Sequence, residues 1–129
     1  MHCSRLLSLL AALLAGLVVA SSTNAAGGPP SAKTLAYQER LGTAAVAAVM
    51  PALMPRVDQF MAAGGVHIEC RINARGQVQD VKVRTGRPNR FVQETCAKVL
   101  KRTTFPKIPK EVQTELGKNW LDFTVQFGG

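Results

Sequence analysis

The side chains able to do nucleophilic or acid–base chemistry are few and poorly spaced for it. Ser4, Ser8, Ser21, Ser22, Cys3 and His2 all lie near the start of the 129-residue chain. Only Ser31, Cys70, Cys96 and His67 represent those residue types in the remainder. A Ser-His-acid arrangement would have to use Ser31, in the Gly/Pro-rich stretch AGGPPSAK, which cannot hold a nucleophile in register with a base. A Cys-His pair would need an accessible thiolate, yet both later cysteines fall at apolar-face positions. No His/Cys/Asp cluster has zinc-ligand spacing. ARGQ and RTGRPN are turn sequences rather than phosphate-cradling loops. The inventory therefore points to a non-enzymatic protein, with no metal, no organic cofactor and no small-molecule substrate expected.

The same inventory depends on where the mature chain starts. Arg5 is followed by an apolar run from Leu6 to Ala20, then by small polar residues and TNAA. A charged start, a short apolar core and a small-x-small site form the layout of a secretory signal, expected over residues 1–25. A retained anchor is the alternative, but a spanning helix needs about 20 apolar residues and this run is shorter. Residues 26–33 read as a short flexible linker, and 34–129 as one domain.

Within that domain the patterns alternate between two periods. Thr34 to Met50 has an apolar stripe at Tyr37, Leu41, Ala44, Ala45, Ala48 and Val49, with Thr34 as its cap, and Pro51 and Pro55 break or kink the path after it. A short helical turn is expected over Val57–Ala63, ended by Gly64 and Gly65. Val66, Ile68, Cys70 and Ile72 alternate with His67, Glu69, Arg71 and Asn73, which is a strand with one apolar face. ARGQ makes a hairpin turn with Gly76 at positive φ. The next strand, Val78–Arg84, slips out of alternation between Val78 and Val81, which a bulge would explain. Arg90–Arg102 reads as a helix with Val92, Cys96, Val99 and Leu100 inward and Glu94–Lys98 as a solvent-side i,i+4 pair. Pro106 and Pro109 keep FPKIPK extended. Glu111–Lys118 is ambiguous, with room for one helical turn.

The last pattern, NWLDFTVQFGG, sets Leu121, Phe123, Val125 and Phe127 against Trp120, Asp122, Thr124 and Gln126. No strand pattern follows it. The expected class is α+β: a small three-stranded antiparallel sheet with helices packed on one face, in the order α-β-β-α-β. The first strand is expected at the centre and the last at an edge.

Cys70 and Cys96 are both inward, one on the sheet and one on the helix that covers it. In an oxidising compartment a bridge between them is the favoured expectation, and two buried free thiols the alternative. Such a bridge would constrain the unfolded chain by roughly 3.5 kcal/mol in the loop-entropy account.

The formal charge is +8, from 16 Lys+Arg and 8 Asp+Glu. Aromatic residues make up only 5%, too few for the stacking platforms that a nucleic-acid surface uses. Solubility explains the basic excess. Arg71, Lys82 and Arg84, expected together on the open face of the sheet, add a weak attraction to acidic partners or an anionic membrane surface. His67 is expected on that same face. Trp120 is placed either as a contact anchor or as a lid on the core.

Three stretches carry a resemblance to the C-terminal domain of TolA and, more distantly, of TonB. INARGQVQDVKV (Ile72–Val83) is similar to the hairpin of both families. CAKVLKRTTFPKIP (Cys96–Pro109) resembles the TolA helix and the Lys-Ile-Pro turn after it. LDF (Leu121–Phe123) matches the final TolA strand. AYQERLGTAAVAAV, with Tyr37, resembles the first helix. The resemblance spans Thr34 to Phe127 and implies a periplasmic module that binds envelope proteins by strand addition, a partner peptide pairing along Trp120, Asp122, Thr124 and Gln126. A membrane-anchored energy transducer with an uncleaved N-terminal helix and a small secreted inhibitor are the alternatives. The anchor and long spanning region of TolA and TonB have no recognisable counterpart here, which leaves the terminal binding module.

Overall fold

The computed structural model describes residues 30–129. The expected signal segment, residues 1–25, and the first four residues of the expected linker lie outside the described residues. Helix α1 runs Ala32–Leu53. A 3₁₀ turn, Met54–Arg56, leads into α2, Val57–Ala62. Strands β1 (Val66–Asn73) and β2 (Val78–Thr85) follow, then α3 (Arg90–Arg102), α4 (Lys110–Leu116) and β3 (Trp120–Phe127). The class is α+β, and the sheet is three-stranded and antiparallel with order β2-β1-β3.

Helix α1 differs from its sequence pattern at both ends. Its cap is Ser31, whose Oγ accepts from Thr34 N, so the linker ends earlier than expected. Ser31 is tied to α4: its N and Oγ each donate to the Glu115 carboxylate at 2.7 Å. Thr34 is buried and donates to the same carboxylate. These bonds hold the Glu115 carboxyl below its usual range, Thr34 contributing most. At the other end the helix continues through Pro51 to Leu53. Burying Leu53, which has no exposed surface, offsets the cost of the bond that proline cannot make.

The hairpin forms where Gly76 allows it. Its φ is +81°, and a Cβ there would meet Phe105 O at 2.0 Å, so no other residue fits this approach. Asn73 supplies what the sequence pattern did not reveal: its Oδ1 accepts from Arg75 N and Gln77 N, both at 3.0 Å, an Asx arrangement that fixes the turn. The slip in β2 is a bulge. Arg71 pairs with Asp80 but Ile72 with Val78, leaving Gln79 as the extra residue.

The core lies between the sheet and the helices. Ile68, Ile72, Leu121, Phe123 and Val125 from the sheet meet Leu41, Val49, Val92 and Leu100 from α1 and α3. Phe105 packs edge-on to Phe123 with centroids 5.3 Å apart. The extended FPKIP segment is tied down by Tyr37, whose hydroxyl donates to Pro106 O at 2.7 Å. Burial pushes the Tyr37 hydroxyl well above the ordinary tyrosine range.

Two expectations are corrected here. The bridge expected between Cys70 and Cys96 is not formed; both are buried free thiols. Helix α3 packs mainly over β2 and against α1, while Cys70 sits on the central strand between Val81 and Phe123. Burial pushes both thiols up to about 12, helped at Cys70 by the charges of Asp80 and Asp122. Little thiolate, the reactive form of cysteine, is present at neutral pH. The expected Glu94–Lys98 pair also gives way: Glu94 Oε1 accepts instead from Arg90 Nε at 2.9 Å, one turn earlier.

Candidate functional site

The candidate site is the outer edge of β3. Asn73 N donates to Gln77 O at 3.0 Å, so at Asn73 the β1 backbone faces β2. The facing direction alternates along an antiparallel strand. Ile72, Cys70, Ile68 and Val66 therefore turn toward β3, opposite Leu121, Phe123, Val125 and Phe127. The intervening residues of β3, Trp120, Asp122, Thr124 and Gln126, direct their N–H and C=O groups away from the sheet. Thr124 has a further interaction of its own. For Trp120, Asp122 and Gln126, no backbone partner outside the sheet is found among the described residues. The pairing of β3 with β1 is unbroken over eight residues, so this edge is straight in register.

The side chains of the same four residues lie on the open face of the sheet. Trp120 is half-buried and outside the core cluster, so it is not a lid. The Arg71 guanidinium lies 4.1 Å and the Lys118 ammonium 4.0 Å from its ring centroid, close enough for cation–π attraction. Arg71 also grips Asp122 in a fork, Nε to Oδ1 at 2.7 Å and Nη2 to Oδ2 at 2.9 Å. That fork, chiefly, holds the Asp122 carboxyl below its usual range. Asp122 is the only acid on β3, and its charge is already answered.

His67 lies on the open face as expected. Its Nδ1 is 2.7 Å from Gln126 Nε2 and its Nε2 is 3.6 Å from Glu69 Oε1. Arg71, Lys82 and Arg84 do share this face. Glu69, Asp80 and Asp122 are interleaved with them, in register Glu69–Lys82 and Asp80–Arg71–Asp122. The face as a whole is therefore balanced in charge rather than strongly basic, which narrows any electrostatic attraction to its two ends.

The sequence pattern placed Trp120, Asp122, Thr124 and Gln126 together, and the structure does the same. It missed Arg71 and Lys118 as their partners. Arg71 shares the phase of the open face, and only the β1–β3 register puts it beside Asp122. Among the described residues no group of His, Cys, Asp and Glu is placed to hold a metal ion, and no helix is long and apolar enough to cross a membrane. No protein-family model, curated protein or solved structure matches the chain.

Proposed function

We propose that this domain is a periplasmic, non-enzymatic binding module of the TolA/TonB C-terminal kind. It takes up an extended segment of another envelope protein as a fourth strand against β3. The observation that carries this reading is the outward direction of the backbone groups at Trp120, Asp122 and Gln126 along an unbroken edge. Main-chain hydrogen bonds to that edge would supply much of the grip, and the side chains beside it would set the choice of partner. Trp120 and Arg71 are residue types that dominate binding hot spots. The apolar N-terminal layout and the resemblance of the hairpin, helix and last strand support the compartment and the class of partner.

Paired proline substitutions test the reading. Gln126→Pro removes an outward N–H from β3. Val83→Pro does the same on β2, because Asp80, Lys82 and Arg84 face β1 and the valines between them face outward. Both variants should fold, as judged by circular dichroism and thermal unfolding, since neither N–H takes part in the ladder. In capture from envelope extract, Gln126→Pro should lose the partners that the unaltered chain retains, while Val83→Pro keeps them. A folded Gln126→Pro chain that captures the same proteins in the same amount overturns the proposal.

A further inference from the structure

At the end of the sheet away from Trp120, the backbone turns after α2, β2 and β3 converge around an open crevice of about 440 Å³. Five glycines line it: Gly64, Gly65, Gly86, Gly128 and Gly129. With no side chains on those residues, main-chain groups form much of its wall. The wall is held in place from several sides. Gly86 N donates to Gly65 O at 3.1 Å, and Arg87 N to Ala63 O at 2.8 Å. A Cβ on Gly86 would lie 2.2 Å from Gly64 O, and one on Gly128 would lie 3.0 Å from the Phe60 ring. The glycines thus permit an approach of backbones that other residues would block.

Among the described residues, Arg84 is the one arginine, lysine, aspartate or glutamate that lines this crevice; His67 lines it too, with its Nε2 3.6 Å from Glu69 Oε1. The Arg87 side chain runs beside Gly64, its Cγ 3.6 Å from where a Cβ would stand. Neither Arg84 nor Arg87 is in an ion pair among the described residues. This differs from the other end of the open face, where Asp122 answers Arg71. Guanidinium groups left without an acid, beside a glycine-lined wall, suit a planar or tetrahedral oxyanion that can accept a forked pair of hydrogen bonds.

We propose that this crevice binds the oxyanion group of a small molecule, a carboxylate or a phosphate, with Arg84 as its main contact. The crevice takes in Gln126 at the end of β3, but the proposal does not rest on strand capture there. It is tested by titrating the ¹⁵N-labelled chain with inorganic phosphate and, separately, with acetate, following backbone amide shifts at constant ionic strength. Saturable shifts at Gly64, Gly65, Gly86 and Gly128 are expected, and Arg84→Gln should weaken them about tenfold, the loss of one charge-assisted contact. Lys118→Gln removes the same charge at the opposite end of the sheet and should leave the titration unchanged. A response to phosphate alone identifies the ligand group as phosphate, and a response to acetate alone as carboxylate. The proposal fails if neither ion moves these amides. It fails equally if Arg84→Gln titrates like the unaltered chain, or if Lys118→Gln weakens binding as much as Arg84→Gln does.

Discussion

The two edges of this sheet are built differently. The β2 edge is interrupted near its start by the bulge at Gln79. Just before that, Gln77 is bridged by Thr104 on the returning chain. Beyond its far end, Gly86 and Arg87 are tied to Gly65 and Ala63. Lys82 and Arg84 add exposed charge. Bulges, short open runs and edge cations are the usual devices that discourage a further strand. The β3 edge has no bulge and no proline, and its single acid is held by Arg71. One edge of the sheet is thus blunted and the other left regular, and the proposed strand addition rests on that asymmetry.

Packing beneath the two strands sharpens the contrast, and it predicts the largest effect. Phe123 is 1% exposed and rests on Phe105, whereas Val83 on β2 is only half-buried. Phe123→Ala should cost about 3–5 kcal/mol in chemical denaturation. Val83→Ala should cost about 1 kcal/mol, because only part of its surface leaves water on folding. Equal losses would mean that β3 is no better anchored than β2, and would weaken the picture of a rigid edge offered to a partner.

A smaller effect concerns the charges beside each edge. The folded Asp122 carboxyl is lowered from its ordinary value of 3.8, first by the Arg71 hydrogen bonds. A group lowered in the folded state contributes stability that is fully present above its unfolded value. That contribution is lost as the pH falls below about 4 and through the folded value. Asp122→Asn should therefore reduce stability slightly at pH 7 and converge with the unaltered chain at low pH. The pair is exposed to solvent, so the difference should stay below either core effect and shrink with added salt. Asp80→Asn, on the β2 side, removes no ion pair and should leave stability at pH 7 unchanged. A reversal of these two results would place the stronger electrostatic support at β2.

Much of this fold is legible in the sequence because each strand buries one face only. The alternation in Val66–Asn73 and Leu121–Phe127 gives the strands and their inward sides directly. The slip between Val78 and Val81 is the bulge itself, visible as a break in phase. The α3 bounds follow from a clean helical stripe closed by extended FPKIP. What escaped depends on contacts distant in sequence. Ser31 is an N-cap, but Glu115, 84 residues later, fixes it. Pro51 lies inside the helix rather than ending it, and Leu53 beyond it is buried completely. The two cysteines have the correct inward phase, yet phase alone does not say which strand a helix lies over. Arg71 and Trp120 belong to one cluster only through the β1–β3 register, which no local pattern specifies.

The central claim is that the outward backbone groups of β3 at Asp122 and Gln126 have no partner in the lone chain, and amide hydrogen exchange measures this directly. The account predicts fast exchange at Asp122 and Gln126 beside slow exchange at Phe123 and Val125, an alternation along one strand. Protection at Asp122 and Gln126 comparable to that at Phe123 and Val125, in a chain confirmed to be monomeric, would contradict it.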